Sequence, residues 1–126
     1  MGKHCLRRLE RVRRGEIRLV NLEPVRGSEA NKRRPAIIVS NDGANATAER
    51  LGRGVVTVVP VSSNTTRIYP FQVLLRSAET GLDRDSKAQA EQVRSVAVER
   101  IDTLLGTLPP ASIASLDEAL RLHLAL

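Results

Sequence analysis

Aromatic side chains are almost missing from these 126 residues: there is no Trp, and Tyr69 and Phe71 are the only rings of their kind. A core must therefore be filled by Val, Ile and Leu, and surfaces on which nucleic-acid bases could stack are scarce. Cysteine is as sparse. Cys5 stands alone, which excludes an internal disulfide and suits a reducing compartment, so a cytoplasmic location is expected. No apolar run approaches the roughly 20 residues that cross a bilayer as a helix, and none follows the basic N-terminus as a signal peptide would. No membrane partner is expected.

Several chemistries lapse for want of side chains. His4 and His123 are the only histidines, one in a charge-rich terminal stretch and one on a helix. Neither a two-histidine ribonuclease centre nor a histidine-based triad is expected. No Cys/His cluster offers a zinc site, Asp83 and Asp85 read as solvated turn residues rather than magnesium ligands, and no glycine motif cradles a phosphate. The expectation is no metal and no cofactor. What remains is Arg, Ser, Thr and backbone amides, groups suited to phosphate.

Positive charge is abundant and unevenly placed. Residues 1–14 hold six Lys/Arg against one Glu, residues 15–76 nine against five acidic groups, and residues 77–126 five against eight. A polyanion would meet the first half of the chain. Residues 1–13 have no clear period and read as a flexible basic arm. Residues 14–126 are enough for one ordinary core, so a single domain is expected there.

The pattern from Glu16 onward is β. Glu16–Leu22 predicts a first strand and Arg34–Ser40 a second, joined by a polar loop over Val25–Lys32. Asn41 and Asp42 can cap a short helix over Ala44–Arg50. Val55–Val61, apolar almost throughout, predicts a central strand covered on both faces. A hydroxyl-rich loop, Ser62–Thr66, precedes strands over Phe71–Arg76, Ser86–Ala90 and Gln92–Val98. A helical turn near Glu99–Thr103, a last strand over Leu104–Leu108 and a helix opened by Pro109-Pro110 complete the chain. On that helix Ile113, Leu116, Leu120 and Leu124 share one face. The sum is a mainly β (α+β) fold: a strongly curved antiparallel sheet or half-open barrel, with helices in the loops and at the end.

Arg33-Arg34-Pro35-Ala36-Ile37-Ile38-Val39-Ser40-Asn41 places two guanidiniums at the mouth of a β-prone run. Pro35 lacks an N–H and biases Arg34 to extended geometry, which suits the entrance of a strand. A fixed charge on a rigid sheet is a good phosphate holder. An Arg at a strand entrance is more often a plain surface charge, but it does not stand alone here.

Arg14-Gly15-Glu16-Ile17, Pro24-Val25-Arg26-Gly27-Ser28-Glu29, the Arg33–Asp42 run, Val58-Val59-Pro60-Val61-Ser62-Ser63-Asn64 and Glu91-Gln92-Val93-Arg94-Ser95 occur in this order. Together they resemble the MazF/PemK family of toxin–antitoxin endoribonucleases, over about Arg14 to Leu126. The resemblance implies a CcdB/MazF-type SH3-like barrel with short helices and a C-terminal helix, assembled as a homodimer. It implies metal-independent, sequence-selective cleavage of single-stranded RNA, leaving 2′,3′-cyclic phosphate and 5′-OH ends, and neutralisation by a cognate acidic antitoxin.

Carried over by position, the family's catalytic arginine falls on Arg34 and its catalytic threonine on Ser62, where serine keeps the hydroxyl; Ser63 is the neighbouring alternative. Glu29, in the loop over the active site, is a candidate catalytic carboxylate, and Arg34 acting through the substrate is another route for the proton. RNA contacts are implied at Arg26, Ser28, Lys32 and Arg33 on that loop, at Asn41, at Ser63, Asn64 and Arg67 of the hydroxyl-rich loop, and at Gln72. The chain departs from the family at Arg18-Leu19-Val20, where an aromatic is common, and at Gln72, where many members carry histidine. A gyrase-poisoning CcdB-like toxin and a catalytically silent RNA-binding module are the competing readings.

Overall fold

The computed structural model describes residues 12–22 and 33–126. Seven strands are described: β1 (Glu16–Asn21), β2 (Arg33–Ile38), β3 (Val55–Ser62), β4 (Gln72–Leu75), β5 (Ser86–Gln89), β6 (Arg94–Ala97) and β7 (Ile101–Thr107). Three α-helices accompany them among the described residues: α1 (Asp42–Leu51), the single turn α2 (Ser77–Thr80) and α3 (Pro110–Leu124). The strands form one antiparallel sheet in the order β4-β5-β3-β2-β1-β7, with β6 also on β3. This is the curved α+β sheet expected from the alternation of β-prone runs.

β3 is its axis. Ile38, Ile37 and Ala36 of β2 lie opposite Val58, Val59 and Pro60 on one edge of β3. On the other edge β6 covers Val55–Val58, and β5 covers Val61 and Ser62. β5 and β6 thus act as one partner strand, interrupted by a 3-10 turn at Ala90–Gln92.

Strand alternation sends side chains to two faces, and each face has its own core. Ile17, Ile37, Val59, Val61, Leu75 and Leu108 pack beneath Leu116 and Ala119 of α3. Val20, Ala36, Ile38, Val56, Val58 and Val96 pack with Ala48 of α1. Val12 joins this second cluster, and its N–H is held by the Glu49 carboxylate. Packed structure therefore extends at least to Val12. Asn41 caps α1, its side-chain oxygen accepting the Ala44 N–H at 2.8 Å.

Several expectations change. β2 begins at Arg33 rather than Arg34 and ends at Ile38, because β1 pairs with it as far as Asn21–Arg33 and Leu19 lies opposite Pro35. Pro35 is thus inside β2 and not at its entrance. Beyond Ile38 the chain turns into α1, and the Val39 and Ser40 N–H groups share the Thr57 carbonyl. The strand expected over Gln92–Val98 narrows to β6, Ala90 belongs to the preceding turn, and the next 3-10 turn is Val98–Arg100, so β7 starts at Ile101. Leu124 is exposed, since α3 outlasts the sheet it covers; Ile113, Leu116 and Leu120 do face the core. Finally, α2 has no periodic signal because it is a single turn.

Gly106 is where the backbone comes closest. A Cβ there would stand 2.1 Å from the Thr80 carbonyl oxygen, so β7 can lie against α2 only with glycine. Gly106→Ala should force backbone movement and lower stability by about 2–3 kcal/mol. Gly52, a left-handed helix cap (φ 69°) with open space around it, should lose only about 1 kcal/mol on change to Ala. Thermal unfolding of the two variants tests the difference, and equal losses would contradict the close approach.

Candidate active site

The β2–β3 ladder stops at Ala36–Pro60. The next rung would set Pro35, which has no N–H to give, against Val61. Past this point the two strands diverge in their partners, β2 continuing on β1 and β3 on β5. Arg34 lies two residues before Ala36 and Ser62 two residues after Pro60. Arg34 and Ser62 thus flank the mouth of a fork, one on each diverging strand.

A cleft of about 340 Å³ opens beside this fork, lined by Arg34, Pro35, Val61, Ser63, Leu105 and the Gly81–Arg84 turn with Ser86. Val61 and Leu105 make part of its wall apolar, while Arg34 and Arg84 bring fixed positive charge. α2 and Gly106 hold the turn in place. Arg34 is exposed and has no ion pair among the described residues. Ser62 is half-buried, and its Oγ accepts the Asn64 N–H at 3.1 Å, leaving its own O–H to donate elsewhere. Ser63, in the bend just past the end of β3, is the serine that lines the cleft. Such a site, with fixed cations, hydroxyl donors and no need of a titrating histidine, can hold an anion whose charge grows during reaction. Among the described residues no group of three or more His, Cys, Asp and Glu side chains is arranged to hold a metal ion.

The other residues singled out in the sequence are dispersed. Arg33 is paired with Asp102 at 2.9 Å, both side chains being about half exposed. The Asn41 side-chain oxygen is occupied by its helix cap. Asn64 Oδ1 accepts the Thr66 N–H at 3.1 Å and shapes the loop. Arg67 reaches Tyr69. Gln72 is buried, its Oε1 accepting from Tyr69 N at 3.1 Å and its Nε2 donating to Glu91 at 2.8 Å, so this amide organises the loop end. Arg18, in the segment where the family commonly has an aromatic, is buried and bridges to Glu16 at 2.9 Å. Arg26, Ser28, Glu29 and Lys32 lie outside the described residues.

Sequence reading passed over Arg84 and Lys87. Both are about fifty residues from Arg34, and no spacing rule links them; only the β3–β5 pairing brings them near. Lys87 lies opposite Ser62, is buried, and donates from Nζ to the Arg67 carbonyl at 2.9 Å. It thereby pins the loop that begins at Ser63.

Fold and cleft together define a small α+β barrel-like protein with a cationic, hydroxyl-edged cleft on its sheet. The chain belongs to the PemK-like, MazF-like toxins of type II toxin-antitoxin systems, whose family model matches residues 13–124. It is 64% identical over 115 residues to Endoribonuclease MazF9 of Mycobacterium tuberculosis, covering 91% of this chain and 98% of that protein. It is 31% identical to Endoribonuclease MazF of Staphylococcus epidermidis, covering 91% and 92%. A crystal structure of MazE-MazF from Deinococcus radiodurans superposes with a TM-score of 0.75 at 25% identity, over 92% of this chain and 97% of that one. No helix among the described residues is long and apolar enough to cross a membrane.

Lys87→Met keeps the length of the side chain and removes its donor. Hydrogen exchange should then speed up at the amides of residues 64–68 while those of β1 and β2 keep their protection. Unchanged exchange in the loop would show that Lys87 does not pin it.

Proposed function

We propose that the chain is the toxin of a toxin–antitoxin pair and acts as an endoribonuclease on single-stranded RNA, with Arg34 and Ser62 as its catalytic groups. The observation that supports the reading is the fork: β2 and β3 part after the Ala36–Pro60 rung, with Arg34 two residues before it on β2 and Ser62 two residues after it on β3. The named activities of the relatives in Mycobacterium tuberculosis and Staphylococcus epidermidis support the same reaction class.

In this mechanism the 2′-oxygen of one nucleotide attacks the adjacent phosphorus as the bond to the 5′-oxygen of the next nucleotide breaks. The 2′-OH proton leaves to a base, for which Glu29 is the candidate carboxylate, and the departing 5′-oxygen gains a proton. The products are a 2′,3′-cyclic phosphate and a 5′-OH. The Arg34 guanidinium and the Ser62 O–H meet the charge that builds on the non-bridging oxygens. Arg33, with Arg26 and Lys32 before it in sequence, provides phosphate affinity, and Arg33 must exchange Asp102 for RNA to do so.

The working unit is a homodimer in the cytoplasm, and an acidic antitoxin segment competes for the basic stretch of sequence from Arg26 to Arg34. An endoribonuclease of a mycobacterial species is solved in complex with its cognate antitoxin, and acidic segments that fold on binding suit a cationic rim.

A long, weakly structured RNA incubated in EDTA should be cut to 5′-OH ends, and cutting should stop when the nucleotide 5′ of the scissile phosphate carries 2′-deoxyribose. Arg34→Ala and Ser62→Ala should each slow single-turnover cleavage by about 10²–10³-fold with the fold intact, and Ser62→Thr should retain the rate. A 5′-phosphate product would rule out attack by the 2′-OH. Full activity in Ser62→Ala would transfer the hydroxyl's role to Ser63.

A further inference from the structure

The chain's two aromatic rings lie in neither core. Tyr69 and Phe71 stack on one another, with centroids 5.4 Å apart and planes inclined by 3°, and Tyr69 is 42% exposed. The exposed Arg67 guanidinium lies over the Tyr69 ring, 5.6 Å from its centroid, and donates to the phenolic oxygen at 3.2 Å. In a chain that fills its cores with Val, Ile and Leu, its only large rings are set in the β3–β4 loop, with Tyr69 facing solvent.

The platform is also held still. Lys87 Nζ fixes the Arg67 carbonyl at one end. At the other, the Tyr69 N–H is bonded to Gln72 Oε1, the Tyr69 carbonyl accepts from Gln72 N at 2.8 Å, and Gln72 is itself tied to Glu91. Preorganisation of this kind removes the ordering cost that a floppy loop would incur on binding a ligand. The loop that carries the platform starts at Ser63, which lines the cleft together with Arg34.

An exposed ring, a second ring behind it and an exposed guanidinium beside it are the parts with which proteins grip unpaired bases. We propose that Tyr69, backed by Phe71, is a base-stacking subsite for single-stranded RNA, and that Arg67 leaves the phenol to meet the adjoining phosphate. The inference rests on the endoribonuclease reading and adds to it a base contact made by neither catalytic group. A stack that served only to stiffen the loop would bind no base.

Steady-state cleavage of an oligoribonucleotide spanning a mapped cut site, by the full chain, separates the two. Tyr69→Leu should raise KM by about tenfold and leave kcat within about twofold, and Tyr69→Phe, which keeps the ring, should restore the wild-type KM. A scan with single abasic ribonucleotides, using the unaltered protein, should find one position near the cut where loss of the base raises KM by a similar factor. On that substrate Tyr69→Leu should cause no further loss.

Unchanged KM in Tyr69→Leu, or an equal penalty on every abasic substrate, would overturn the subsite. Unchanged RNA kinetics with weakened dimerisation would overturn it too, making the ring a contact between copies. An unaltered chain that cuts no RNA would overturn the functional reading itself, an outcome distinct from these because it precedes any variant.

Discussion

The structure depends on one backbone constraint: β3 must serve β2 on one edge and β5 and β6 on the other, and prolines mark where that sharing ends. Pro60 closes the paired part of β3 toward β2, and Pro35 supplies no N–H for another rung. An unbroken ladder at this point would bury Arg34 and Ser62 against each other's strand in an ordinary sheet. The missing donor instead leaves an opening whose sides are still fixed by β1 and β5. Rigid flanks around a local interruption give a site that needs little reorganisation when a ligand arrives.

The charges follow a division of labour that the net value of +6 conceals. Some arginines are structural. Arg14 joins the entrance of β1 to α3 through Asp117 at 2.6 Å and to the end of β2 through the Val39 carbonyl at 2.8 Å. Arg18 is buried against Glu16 and the Asp102 carbonyl. Arg33 stands between the two groups, in a half-exposed pair with Asp102 that is worth at most about 1 kcal/mol and can be exchanged at little cost. Arg34 and Arg84 border the cleft. Positive charge is thus concentrated where a phosphate would sit by withdrawing neighbouring arginines into the frame.

Much of this was legible in the sequence because it is written in short-range terms. The β-prone run from Glu16 and the apolar run of β3 announced strands, Asn41 announced the cap of α1, and Pro109-Pro110 announced α3. The position of Pro35 was misjudged, since what places it inside β2 is pairing with β1, a partner that no local pattern specifies. The cleft's far wall was out of reach for the same reason. The Gly81–Arg84 turn is recognisable as a turn, but its approach to Arg34 is a matter of sheet order. Scarcity of aromatics suggested that stacking surfaces were few; three-dimensional proximity gathers both rings and Arg67 into one platform.

The central claim is that the fork makes Arg34 and Ser62 act on one phosphate as a pair, with Ser63, in the bend past β3, outside that pair. A double-mutant cycle on the single-turnover rate of RNA cleavage measures it most directly, comparing Arg34→Ala with Ser62→Ala and, separately, with Ser63→Ala. Groups that stabilise the same developing charge are predicted to be strongly non-additive for Arg34 with Ser62, and close to additive for Arg34 with Ser63. Coupling of Arg34 to Ser63 in place of Ser62, or additivity in both cycles, would contradict the geometry on which the account rests.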